Sequence, residues 1–140
     1  MKRTGIFYQL IYHFVWATKD REPFLSSSVE ARLLPYLSAK CKELEYELFA
    51  ANGATDHIHL LLGLTPTMMV ADVVKNLKGA SSHYINHESG LKESLYWQDG
   101  YGVITLRRAE VAKVTKYIER QKVHHGVGKL SELLERFAPE

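Results

Sequence analysis

The sequence predicts an α+β fold in which helices lie against one antiparallel sheet. Short runs that alternate between apolar and polar residues are separated by longer stretches with apolar residues at helical spacing. These segments follow the order β-α-β-β-α-β, and the second and third strands are too close in sequence to be anything but antiparallel neighbours. That order is ferredoxin-like, with helices on one face of the sheet, and a C-terminal helix follows it. At 140 residues, 46% of them hydrophobic, the chain suits a single domain spanning 1–140.

The first strand is read in "GIFYQLIYHFVWATK", where Tyr8, Leu10, Tyr12, Phe14 and Trp16 share one face and Gln9 and His13 take the other. In "SSSVEARLLPYLSAKCKEL", Leu33, Leu37, Cys41 and Leu44 have helical spacing behind serines able to cap the start. Pro35 lacks a donor N–H, so the regular helix is expected to begin near it or bend there. "YELFAANGA" and "HIHLLLGL" read as a paired second and third strand. A second helix follows in "MVADVVKNLKGASSHYINH", with Val70, Val73, Val74, Leu77, Tyr84 and Ile85 on one face. "GYGVITL" contains the fourth strand, and a third helix is expected from Ala109 to about His125.

Composition narrows the function classes without choosing one. No run is apolar enough to span a bilayer, and Gln9, Tyr12 and His13 interrupt the apolar stretch behind Met1, Lys2 and Arg3, so a cytoplasmic protein without an export signal is expected. A single cysteine, Cys41, excludes an internal disulfide framework. The formal charge of +2 permits an acidic partner such as nucleic acid without requiring one. There is no glycine-rich nucleotide-binding loop of the Walker type.

The chemistry-bearing residues begin with "DHIHLLLG". On a strand, His57 and His59 point to one face, while Ile58, Leu60 and Leu62 point to the other. Two imidazoles on a rigid strand can share one metal ion, but a third ligand must come from elsewhere. Taken alone, the pair is read at least as well as two hydrogen-bonding residues at a strand end. In "VTKYIERQKVHH", Tyr117 and Gln121 lie four residues apart and share a helical face, displaced from the apolar stripe of Val111, Val114 and Ile118. A phenol and an amide oxygen side by side offer a nucleophile and a metal ligand, the two kinds of group that phosphoryl transfer needs. A surface tyrosine packing by its ring and a solvated glutamine are the competing readings.

Together these stretches resemble the single-tyrosine HUH transposases of the IS200/IS605 type, where U is the hydrophobic residue between the histidines. The resemblance covers nearly the whole chain: "HFVWATKDREPFL" is similar to the family's first strand and following loop, "VVKNLKGASS" to its second helix, and "LYWQDGYGVITL" to its last strand. It implies that His57, His59 and Gln121 bind a divalent metal, Mg²⁺ or Mn²⁺, and that Tyr117 is the catalytic nucleophile. It also implies a homodimer whose active sites are shared between chains. The activity implied is cleavage and rejoining of single-stranded DNA beside hairpins through a 5′-phosphotyrosine. "YIERQ" resembles the insertion-sequence enzymes more than their domesticated, repeat-associated relatives, which usually carry an asparagine and proline after the tyrosine.

Lys19 and Arg21 after the first strand, and Lys75 and Lys78 on the second helix, are candidates for phosphate contacts, with Ser81 and Ser82 assisting. Trp97 and Tyr101 are candidates for stacking on unpaired bases, or else for packing at a sheet edge or dimer interface. His83, His87, His124 and His125 have no matching third ligand in the sequence and are expected on the surface or facing DNA. Two other readings stay open: a domesticated relative acting on chromosomal hairpin repeats, and a non-catalytic ferredoxin-like nucleic-acid-binding module. A binding module has no need of His57, His59, Tyr117 and Gln121 together.

Overall fold

The computed structural model describes residues 5–121. Its strands are β1 (Leu10–Ala17), β2 (Glu47–Gly53), β3 (His57–Leu64) and β4 (Gly102–Leu106), and its α-helices are α1 (Ser27–Glu43), α2 (Val70–His87) and α3 (Val111–Glu119). The strands form an antiparallel sheet in the order β2-β3-β1-β4.

Strand β1 starts later than its polarity pattern suggests, because both of its partners run out. Leu10 pairs with Leu64, the last residue of β3, and Ile11 pairs with Leu106, the last of β4. Tyr8 and Gln9 therefore precede the strand. Helix α1 is capped by Ser26, whose side chain accepts from the Val29 N–H at 3.3 Å. It runs straight through Pro35 rather than beginning there. The proline sits on the exposed side, away from the buried stripe of Val29, Leu33, Leu37 and Cys41, where the carbonyl it leaves unbonded can be met by water.

The larger core lies between α1, α2 and one face of the sheet. Phe14 and Trp16 of β1 and Ile58, Leu60 and Leu62 of β3 meet Leu33 and Leu37 of α1 and Val74, Leu77 and Ile85 of α2. The opposite face is not left to solvent. Helix α3 covers it, placing Val114 and Ile118 on Ile11, Ala50 and Leu61. His13, expected on an open polar face, is consequently buried. The two helices of the repeating pattern share one face as expected, and the additional helix closes the other.

Candidate active site

The face beneath α3 carries His13, His57 and His59, all fully buried. Register puts them there: His59 pairs with Val15 and His57 with Ala17, while His13 pairs with Leu61 and so stands diagonal to His59. The β2–β3 turn that presents His57 depends on Gly53, where a Cβ would run into the His57 carbonyl. The Ala54 N–H then donates to that carbonyl at 3.1 Å.

Each histidine of the pair is held at Nδ1 by a different partner. His57 Nδ1 is 2.9 Å from Asp56 Oδ1, and the other carboxylate oxygen, Oδ2, takes the Arg21 guanidinium at 3.2 Å. Burial alone would raise the Asp56 pKa, but the bond from His57 and the charge of Arg21 outweigh it and hold the carboxyl below its usual value. His59 Nδ1 is 2.9 Å from His13 Nε2. Burial, reinforced by the neighbouring His59, lowers the His13 pKa to about 3, so this imidazole is neutral. Arg21 reaches Asp56 from a tight turn, Lys19–Arg21, in which Asp20 and Arg21 adopt left-handed φ values of 54° and 56°. The turn is tied down by Asp20 N–H donating to Gln98 Oε1 at 2.7 Å.

Helix α3 delivers the remaining groups. After β4 the chain turns through Arg108–Glu110, with the Glu110 carboxylate accepting from the Arg107 N–H at 2.9 Å. Burial of Val114 and Ile118 fixes the helix rotation, which sets the Tyr117 ring edge-on to His59, with centroids 6.0 Å apart, and to His13 at 6.5 Å. The regular helix ends at Glu119, whose carbonyl accepts from Asn52 Nδ2 at 3.1 Å. Tyr117 and Gln121 thus do not share one unbroken helix as expected. The chain leaves helical geometry at Arg120, with ψ of 23°, and Gln121 enters the site beyond that turn. Its Oε1 lies 3.3 Å from His57 Nε2.

This pairing favours a cation. With the Asp56 carboxylate accepting the Nδ1–H of His57, a neutral ring has only its lone pair at Nε2, and that lone pair faces the amide oxygen of Gln121. Two donors bound side by side on an octahedral cation at roughly 2.1 Å lie roughly 3 Å apart, close to the separation found. Tyr117 Oη and Gln121 Nε2 are also buried without a hydrogen-bond partner among the described residues. No cluster of three His, Cys, Asp or Glu side chains suited to a metal occurs among the described residues, and the amide oxygen of Gln121 is the donor that stands beside His57. The residues present fit a divalent ion, with Asp56 and His13 as outer partners of its histidines.

This arrangement bears on two sequence expectations. All four candidate residues meet within one chain, because the short Arg107–Glu110 joint folds α3 back onto its own sheet. Several candidate DNA contacts bond or pack within the chain. Ser81 is fully buried, donating to the Lys78 carbonyl at 3.2 Å and accepting from Trp97 Nε1 at 2.9 Å. Lys78 donates to the carbonyls of Gln98 and Gly100 at 2.6 and 2.7 Å. Burial lowers its pKa, with Asp99 opposing. Trp97 packs edge-on against Trp16 at 6.0 Å, Ser82 bonds to the Lys78 carbonyl at 3.0 Å, and Tyr101 packs on the larger core. Arg21 is occupied by Asp56. Lys19 and Lys75 are exposed, as are His83 and His87, whereas His124 and His125 lie outside the described residues.

Asp56 and His13 were not singled out in the sequence, although each had a signal. Asp56 immediately precedes His57, and His13 is the polar interruption on a strand otherwise rich in large apolar residues.

Residues 6–121 match the family model described as transposase IS200 like. The chain belongs to this family. It is 35% identical over 126 residues to the ISDra2 transposase TnpA of Deinococcus radiodurans, covering 86% of this chain and 89% of that one. It is 30% identical over 115 residues to the transposase for insertion sequence element IS200 of Salmonella typhimurium, covering 79% of this chain and 75% of that one. Among solved structures, one from Deinococcus radiodurans R1 described as a transposase superposes with a TM-score of 0.68 at 36% identity, covering 86% of this chain and 97% of that one. A REP-associated tyrosine transposase bound to a REP hairpin superposes at 0.60 with 20% identity, covering 92% and 77%, and shares the fold. An IS200-like transposase is a DNA-cleaving enzyme of insertion-sequence transposition and recombination. No helix among the described residues of this one is long and apolar enough to cross a membrane.

Proposed function

We propose that this IS200-like transposase cleaves and rejoins single-stranded DNA beside hairpins, with Tyr117 as nucleophile and His57, His59 and Gln121 as ligands of Mg²⁺ or Mn²⁺. The observation that carries the proposal is the meeting of His57 Nε2 and Gln121 Oε1 on the face that also holds the buried Tyr117 hydroxyl. When bound, the cation supplies positive charge that polarises the scissile phosphate. Tyr117 Oη forms a bond to phosphorus as the bond from phosphorus to the 3′ oxygen breaks. The phenolic proton passes to solvent and the departing oxygen takes one up as a 3′-hydroxyl. One phosphodiester is exchanged for another of similar energy, so rejoining by attack of a 3′-hydroxyl needs no nucleotide cofactor. The Tyr117 ring packs edge-on against both His13 and His59, and Asp56 fixes the orientation of His57.

The donor set is neutral, which bears on the order of binding. Without a carboxylate ligand the cation is held weakly until a substrate phosphate adds negative charge. Single strands suit this site because a flexible backbone can align in line with Tyr117, which rides on a helix lying over a sheet. A chain of this fold has been solved on a hairpin, and the likeness to insertion-sequence relatives at 30–35% identity favours a mobile element over a domesticated one. Homodimerisation and a cytoplasmic location belong to the proposal through the family resemblance. The test is to incubate the protein with a hairpin-bearing single strand and its fully paired counterpart, with Mg²⁺, Mn²⁺ or EDTA. Cleavage of the single strand, only with the cation, is expected; equal cleavage of both substrates, or cleavage in EDTA, contradicts the proposal.

A further inference from the structure

The two histidines of the site are oriented by chemically unlike partners, an anion for His57 and a second imidazole for His59. The second contact is the less common device and the more demanding. Both of its atoms are ring nitrogens, so one must carry the proton and the other must not. If His13 Nε2 donated, His59 would keep its own proton on Nε2, the nitrogen a metal ligand has to offer as a lone pair. If His59 Nδ1 donates, Nε2 is left as that lone pair. In water an imidazole favours the opposite tautomer, with hydrogen on Nε2, so a metal-ready His59 needs a specific acceptor at Nδ1.

We infer that His13 is the positioning residue for His59: its Nε2 accepts the His59 Nδ1–H and thereby presents His59 Nε2 as a lone pair to the cation. The inference rests on the metal reading above and adds a residue to it. The burial of both rings and the 2.9 Å contact leave water no place between them. Strand pairing fixes that distance, because His13 and His59 are diagonal neighbours on adjacent strands. His13 also borders Tyr117, so the same ring sits against both the ligand and the nucleophile. It touches neither substrate nor cation in this account and acts only through His59.

The experiment compares wild type with His13→Phe, which keeps a ring but has no acceptor, and His13→Gln, whose amide oxygen can accept. The His59 tautomer is read by ¹⁵N NMR on the metal-free protein, and affinity for Mn²⁺ alone is read by electron paramagnetic resonance of the free ion. Wild type is expected to carry the His59 proton on Nδ1. His13→Phe should move it to Nε2 and weaken Mn²⁺ binding by about 10- to 100-fold, with His13→Gln restoring much of both. An unchanged tautomer in His13→Phe overturns the inference, even if affinity falls, because the residue would then only support packing. Should His13→Phe fail to fold, the comparison of wild type with His13→Gln decides: a wild-type His59 proton on Nε2, or a Gln variant that loses the Nδ1–H form, overturns it. A wild type that binds no Mn²⁺ with or without DNA would sink the metal reading instead, while the tautomer comparison would still decide the role of His13.

Discussion

His57 Nε2 and Gln121 Oε1 stand 3.3 Å apart although 64 positions separate them in the chain. The contact joins the second residue group of the site, carried beyond α3, to the strand that bears the histidines. It makes the proposed metal site dependent on how the end of α3 is held, through Val114 and Ile118 beneath it and Asn52 at its last carbonyl.

Removing a ligand should separate metal binding from DNA binding. His57→Ala is expected to reduce cation-dependent cleavage by more than about 100-fold, given that losing even an outer partner of a ligand costs 10- to 100-fold. Hairpin affinity in EDTA should change little, since it rests on phosphate and base contacts elsewhere. Gln121→Glu replaces a neutral donor with an anionic one and should tighten Mn²⁺ binding in the absence of DNA. Titrations of both variants with Mn²⁺, and gel-shift measurements in EDTA, check this. A His57→Ala protein that cleaves at the wild-type rate, or a Gln121→Glu protein that binds Mn²⁺ no better, would count against the ligand assignment.

The two lysines of α2 should behave differently. Lys78 is bonded to two carbonyls in the loop after Trp97, so Lys78→Ala is expected to destabilise the fold by about 1 to 3 kcal/mol. Lys75 is exposed. Lys75→Ala should leave stability within about 0.5 kcal/mol and, where Lys75 meets a phosphate, lower the salt dependence of DNA binding by about one unit of slope. Denaturant unfolding and hairpin affinity at several salt concentrations distinguish them. Equal stability losses in the two variants would contradict the assignment.

Cys41 is buried in the larger core, and burial pushes its thiol pKa up from 9.0 to about 12. A group whose folded pKa is raised contributes stability that is present below the unfolded value and lost as pH rises toward the folded value. Stability should therefore fall between about pH 9 and 12 in part through this thiol, and Cys41→Ala should lessen that portion. A thiol reagent at neutral pH should label the native protein only as fast as it opens. Labelling at the rate of a free thiol would show the residue to be accessible.

Much of the fold was legible because its periodicities are strong. The alternation of β3 and the i, i+4 spacing of α1 leave little choice of element or face. Pro35 was harder to place because its consequence depends on which side of the helix faces water, a tertiary fact. The His57 and His59 pair could be read directly, since strand geometry alone puts both on one face. His13 could not, because its burial follows from α3 crossing that side of the sheet, and Ser81 and Lys78 gave no sign that the Trp97 loop would occupy them. Polar side chains on a helix read as solvent-facing until the loop packed against them is known.

The nucleophile is the central claim, and the adduct tests it most directly. The wild-type protein and Tyr117→Phe are to be incubated with a hairpin-bearing single strand and Mn²⁺, run on a denaturing gel, and any covalent species digested for mass spectrometry. Removal of the hydroxyl leaves the ring that packs on His13 and His59, so the variant should fold and bind the strand. The account predicts a covalent protein–DNA species in wild type with the nucleotide on the peptide containing Tyr117, and none in Tyr117→Phe. An adduct that persists in Tyr117→Phe, or one mapped to another residue, would contradict it.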